Sequence, residues 1–160
     1  MDETPEALYK AGMAPMPGWN DDGPDAAARF KAAKALVARA AEAGHEEALQ
    51  SMAQGSAPEA FDWSVRLAKA GNEGELVMNL TNGDHPVERC QEVFAAAQAG
   101  EGWAITAVAR VYRLGMRDNA TGRPVASRPL AWGWLPGAKD PRAEGLAWLK
   151  RAAAAGWASA

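Results

Sequence analysis

Glu144–Gly156, EGLAWLKRAAAAG, is the stretch whose reading decides the fold. It reads as one amphipathic helix closed by a glycine stop. Leu146, Leu149 and Ala153 fall on one face, with Trp148 and Ala152 beside it, and Lys150 and Arg151 point away. The two cations stand late in the helix, where they suit its dipole. Asp140 is placed to cap the start, Pro141 fits the first helical position, and Gly156 suits the left-handed turn that ends a helix. Weaker copies of the last turn recur upstream: Ala40-Ala41-Glu42-Ala43-Gly44, Leu67-Ala68-Lys69-Ala70-Gly71 and Ala96-Ala97-Gln98-Ala99-Gly100. A helix end that recurs four times predicts a repeat protein.

Outward from that stretch, the same punctuation divides the chain into helices over Pro5–Gly12, Asp25–Ala43, His45–Gln54, Pro58–Ala70, Asn72–Asn82, Val87–Ala99, Glu101–Leu114 and Pro141–Ala155. Proline opens every second one (Pro24, Pro58, Pro86, Pro141) and glycine stops it (Gly44, Gly71, Gly100, Gly156). First helices end in a large residue followed three later by glycine: Tyr9/Gly12, Met52/Gly55, Leu80/Gly83 and Tyr112/Gly115. The predicted fold is therefore all-α: one domain, residues 1–160, an α/α solenoid of four hairpins over residues 5–43, 45–70, 72–99 and 101–155. Expected inward residues include Phe30, Leu36 and Val37 in the second helix and Trp103, Ile105, Val108, Val111 and Tyr112 in the seventh. Long loops, Met13–Gly23 and Met116–Asp140, interrupt the first and last hairpins with proline and glycine.

Two motifs carry a family resemblance. Val108-Ala109-Arg110-Val111-Tyr112-Arg113-Leu114-Gly115 resembles the first half, L-G-x-x-Y-x-x-G, of the SEL-one-like repeat, a relative of the tetratricopeptide repeat. Gly145-x-x-Trp148-x-x-x-Ala152-Ala153-x-x-Gly156 resembles its second half, A-x-x-W-x-x-x-A-A-x-x-G. Ala60-x-x-Trp63 with Gly71 fits that half too, with Leu67 in place of one alanine. Gly44-His45 followed by Glu46-Glu47-Ala48 is similar to the family's junction between repeats. The departures are Ala109 for glycine, Gly145 for alanine, short middle hairpins, and insertions in the outer two. The resemblance covers nearly the whole chain and implies scaffold, adaptor or regulatory roles exercised through protein–protein interaction.

The residues offer little chemistry. His45-Glu46-Glu47-Ala48-Leu49 begins like a zinc motif, but Leu49 stands where the second histidine belongs, and His45, His85 and Cys90 are too few soft donors. Cys90 has only His85 nearby in sequence and reads as a buried thiol. No phosphate-binding or nucleophile-elbow glycine pattern occurs, so neither catalysis, nor a metal, nor a cofactor is expected. The net charge of −3 exerts no general pull on nucleic acid or anionic membranes. No apolar run is long enough to span a bilayer, and MDETPEALYK lacks a signal-peptide pattern, so the expected location is the cytoplasm.

Seven tryptophans are the compositional oddity. Trp63, Trp103 and Trp148 lie on helix faces and read as core. Trp19, Trp132, Trp134 and Trp157 fall in loops or at the end, either as interface anchors or folded back over the flanks. Acids gather early (Asp2, Glu3, Glu6, Asp21, Asp22, Asp25) and bases late (Arg117, Arg123, Arg128, Lys139, Arg142). The expected function is a non-catalytic module that binds a protein partner through Trp19, Asp21, Asp22, Arg117, Arg123, Arg128, Trp132, Trp134 and Trp157. The alternative is a bacterial immunity or antitoxin-like protein that blocks one cognate toxin. A stack left open after Gly156 further predicts a homodimer through its C-terminal end, with Leu146, Leu149 and Trp157 covered.

Overall fold

The computed structural model describes residues 4–14, 23–81, 85–114 and 134–157. Among them are eight helices and no strand, so the fold is all-α. They are α1 Pro5–Met13, α2 Ala26–Glu42, α3 Glu46–Ala53, α4 Pro58–Lys69, α5 Gly74–Thr81, α6 Val87–Gln98, α7 Gly102–Leu114 and α8 Pro141–Ala154. None of the described helices is long and apolar enough to cross a membrane.

The helix ends follow from local chemistry. Thr4 accepts from the Ala7 N–H at 3.3 Å, and Asp140 accepts from the Arg142 and Ala143 N–H groups at 3.1 Å each. Each occupies donors that the first turn leaves unpaired. Pro5, Pro58 and Pro141 sit inside the first turn, whereas Pro86 stands one residue outside α6 as its cap. The stops are four copies of one device. Gly44, Gly71, Gly100 and Gly156 have φ of 88°, 101°, 95° and 81°. The next residue's N–H then reaches back to the carbonyl of Ala40, Leu67, Ala96 or Ala152, at 3.0 Å in every case. This is the Schellman turn, which a residue with a Cβ enters only with strain.

The chain divides into two compact units, Met1–Gln54 and Gly55–Ala160. In the first, α2 packs against α1 and α3. Leu8, Ala33, Val37, Ala40, Ala48 and Met52 are buried there. The α1–α2 contact is backbone-close at Gly12, where a Cβ would stand 2.7 Å from Val37 Cγ2 and 2.9 Å from the Ala33 carbonyl. Phe30, expected inward, is 47% exposed. It continues the apolar stripe of α2 but stands one turn before Ala33, the first residue of α2 that is buried.

In the second unit, α7 lies against α4, α5, α6 and α8. Every residue from Trp103 to Ala109 is buried, as are Val111 and Tyr112. Helices α4 and α6 meet where His85, just before α6, packs edge-on against Phe61 at 5.2 Å and Arg89 pairs with Asp62. Helices α6 and α8 meet where Phe94 packs edge-on against Trp148 at 5.9 Å.

The register of α8 corrects the sequence reading. Its buried residues are Gly145, Trp148 and Ala152; Leu149 is half-buried, Ala153 exposed, and Leu146 53% exposed. The buried stripe combines bulk at Trp148 with two small residues that let backbones approach. A Cβ on Gly145 would stand 3.0 Å from the Ala109 carbonyl. Ranking residues by side-chain hydrophobicity selects Leu146; close approach selects Gly145.

Candidate functional site

Much of the predicted binding set, Trp19, Asp21, Asp22, Arg117, Arg123, Arg128 and Trp132, lies outside the described residues. The other two members are described, and both fold inward. Trp134 is 5% exposed and Leu135 3%, packed in the cluster around α7. The segment is held there by the Tyr112 hydroxyl, which donates to the Pro136 carbonyl at 2.8 Å. Burial, with Glu144 adding repulsion, pushes the Tyr112 phenol up to about 12, so the proton that makes this bond stays in place. Trp157 is half-buried with its ring laid on Gly102, at a spot where any Cβ would be 2.8 Å from the indole. Both tryptophans thus pack against residues of their own chain.

The core tryptophans present a feature the sequence reading missed. The Arg66 guanidinium lies 4.6 Å over the Trp63 ring, and that of Arg151 lies 4.5 Å over Trp148. The two sites match: tryptophan, then arginine three later, then the stop glycine, as W-x-x-R-x-A-x-A-G. Positions three apart on a helix are neighbours, so the cation settles on the ring's outer face. The legible signal is this shared spacing; from the sequence Arg151 reads only as a charge pointing away. Lys69 sits 5.2 Å over Trp103, whose indole N–H donates to Glu101 at 2.8 Å. Across the same unit, nearly buried Glu73 is held by Arg110 at 3.0 Å.

The outer surface of α8 is the described part of the basic C-terminal region. Ala143, Leu146, Ala147, Lys150 and Ala154 are all exposed, with Arg142 and Arg151 exposed to either side. Asp140 is engaged in capping, and Glu144 is half-buried, so the outward charge is positive.

The chemical candidates close down on inspection. His45 has both ring nitrogens engaged: Nε2 lies 2.7 Å from Glu6 Oε2, and Nδ1 accepts the Ala48 N–H at 3.3 Å. Cys90 is buried, and desolvation pushes its thiol up to about 11, which keeps it a poor nucleophile at neutral pH. Among the described residues, no three His, Cys, Asp or Glu side chains gather in a way that suits a metal ion. His85 Nε2 and the indole nitrogens of Trp148 and Trp157 are buried without a hydrogen-bond partner among the described residues. Compared with models of known families, with curated proteins and with solved structures, the chain has no significant match in any of the three.

Proposed function

We propose that this chain is a SEL-one-like α/α repeat solenoid that works by binding a protein partner, without catalysis of its own. The observation that carries the repeat reading is the fourfold Schellman stop, repeated to the hydrogen bond, together with the twice-repeated arginine-over-tryptophan stack. The contact pattern of the second unit supports it. Second helices touch in succession, α4 to α6 through Arg89–Asp62 and α6 to α8 through Phe94–Trp148, while the first helices α5 and α7 pack together. The two departures from the family pattern also support it. Gly145 lies against the backbone of Ala109, where an added Cβ would stand 3.0 Å from the carbonyl oxygen, so both departures fall at the α7–α8 crossing.

For binding, the supporting feature is the outer surface of α8, an exposed leucine among alanines with cations on both sides. Small residues let a partner helix lie close, Leu146 anchors it, and the positive rim favours an acidic partner. The basic loop residues Arg117, Arg123 and Arg128 extend this charge in sequence. The test begins with affinity capture from native lysate, identification of the retained protein, and titration of the purified pair. Leu146→Glu combined with Arg142→Glu is expected to weaken that binding by at least tenfold while the circular dichroism stays unchanged. Undiminished binding by this variant, or turnover of the captured molecule, overturns the reading.

A further inference from the structure

His45 is the residue on which three helices of the first unit converge. Its backbone N–H closes the Schellman turn of α2 on the Ala40 carbonyl at 3.0 Å. Its Nδ1 caps α3 by accepting the Ala48 N–H at 3.3 Å, and its Nε2 reaches Glu6 of α1 at 2.7 Å. The ring also stacks on Tyr9 of α1, centroids 4.6 Å apart and planes 28° from parallel. A single protonation state satisfies all of this. Nδ1 accepts only with a free lone pair, and Nε2 donates to a carboxylate only with a proton, so the ring is neutral and carries its hydrogen on Nε2.

We propose that His45 is a proton-operated joint: taking up a proton, it releases the start of α3 while keeping its hold on α1. The step is one proton from solvent onto Nδ1, giving an imidazolium. Nδ1–H then faces the Ala48 N–H, donor against donor, and the cap is lost. Toward α1 the same proton strengthens both contacts. The hydrogen bond to Glu6 becomes a charge-assisted ion pair, and the stacked Tyr9 ring faces a cation. The surrounding charges are Glu6 and Lys10 on α1, Arg39 and Glu42 in the last turn of α2, and Glu46 and Glu47 in the first turn of α3. The Glu6 carboxylate, itself paired with Lys10 at 2.8 Å, is the one in contact with the ring. The α3 N-terminus opposes the new charge through its dipole, which adds to the loss at that end. The joint thus lets go of α3 while tightening on α1, and it stands whether or not the binding reading does.

The experiment is NMR on the whole chain, followed as acid is added until His45 has taken up its proton. Nitrogen shifts of the ring are expected to show Nε2–H at the start. As His45 protonates, Ala48 amide protection, corrected for intrinsic exchange, is expected to fall roughly fivefold, the size of an N-cap's contribution. The Tyr9 ring resonances should hold or move further under the ring current. His45→Asn, which caps without titrating, should make Ala48 protection independent of pH. Ala48 protection that stays flat through the titration overturns the proposal, as does an Nδ1–H tautomer at high pH. Loss of the Tyr9 stacking shift on protonation would mean that the ring leaves α1 instead, and overturns it equally. The wild-type titration decides the matter even where the variant does not fold.

Discussion

At the scale of single residues, the stop glycines were the most legible feature because their requirement is local. A backbone at φ near 100° excludes side chains by its own sterics, whatever surrounds it. Gly71 isolates that effect, since an added Cβ there meets nothing within 4 Å. Gly71→Ala is expected to cost about 1 kcal/mol from backbone strain alone, read as a lower midpoint in urea with unchanged slope. Gly74 is the contrasting case, at an ordinary φ, with only the Asn72 Oδ1 at 3.5 Å. Gly74→Ala should therefore stabilise by about 0.5 kcal/mol, through the reduced freedom of the unfolded chain. Glu6 carries a pH dependence with a definite sign. Hydrogen bonding to Lys10 first, and to His45 next, holds its carboxyl below the ordinary value of 4.5. Its stabilising contribution is full above the unfolded value and is lost as pH falls through the lower folded one. Carbon NMR of the carboxyl should give a midpoint below 4.5; one above it would remove this account. The pairing itself, Glu6 with His45, was not legible, because the two residues stand far apart in sequence and meet only once α1 and α3 are both in place.

At the scale of elements, every described helix was legible as an element, its bounds shifting by a residue or two, because proline starts and glycine stops are written in adjacent residues. Faces were less legible. Phe30 looked inward because it shares the stripe of Ala33 and Val37, yet the buried part of that stripe begins only at Ala33. Leu146 looked inward because leucine usually is, yet the close approach of α7 and α8 is built on Gly145 and the Ala109 backbone. That crossing makes a sharp prediction. Gly145→Ala inserts a methyl 3.0 Å from a carbonyl oxygen that belongs to a helix backbone and gives way only if the helix shifts. It should destabilise by about 1–3 kcal/mol, as overpacking does, although alanine is the better helix former. Adding Ala109→Gly should recover part of the loss, visible as a coupling in a double-mutant cycle; strictly additive costs would mean that the two positions do not answer to one another. The last loop needs a similar revision, because Trp134 and Leu135 near its end are core residues. Trp134→Ala alone should cost about 3–5 kcal/mol.

At the scale of the molecule, the question is what covers the apolar faces that the helices of each unit leave. In the second unit the answer for α7 is internal. Its sides carry four helices, Trp134 and Leu135 fold against the same cluster, and Trp157 lies on Gly102 at its start. The echo of Trp103-Ala104 in Trp157-Ala158 suggests the opening of another first helix, but Trp157 instead rests flat where the missing Cβ of Gly102 leaves room. Among the described residues of the second unit, Met78, Val87 and Leu146 are the large apolar side chains left outward, and Leu146 is the one on α8. These two places make opposite predictions, and two substitutions separate them. Trp157→Glu removes a covering side chain, so it should lower the melting temperature of the isolated chain by several degrees. Leu146→Glu alters an exposed residue and should leave the melting temperature within a degree or two. If copies of the chain pair through this end, sedimentation of the wild type should depend on concentration, and Leu146→Glu should abolish that dependence on its own. Should Trp157→Glu dissociate the pair while leaving stability untouched, the tryptophan would be an interface residue after all, and its place on Gly102 would not be what holds this end of the molecule closed.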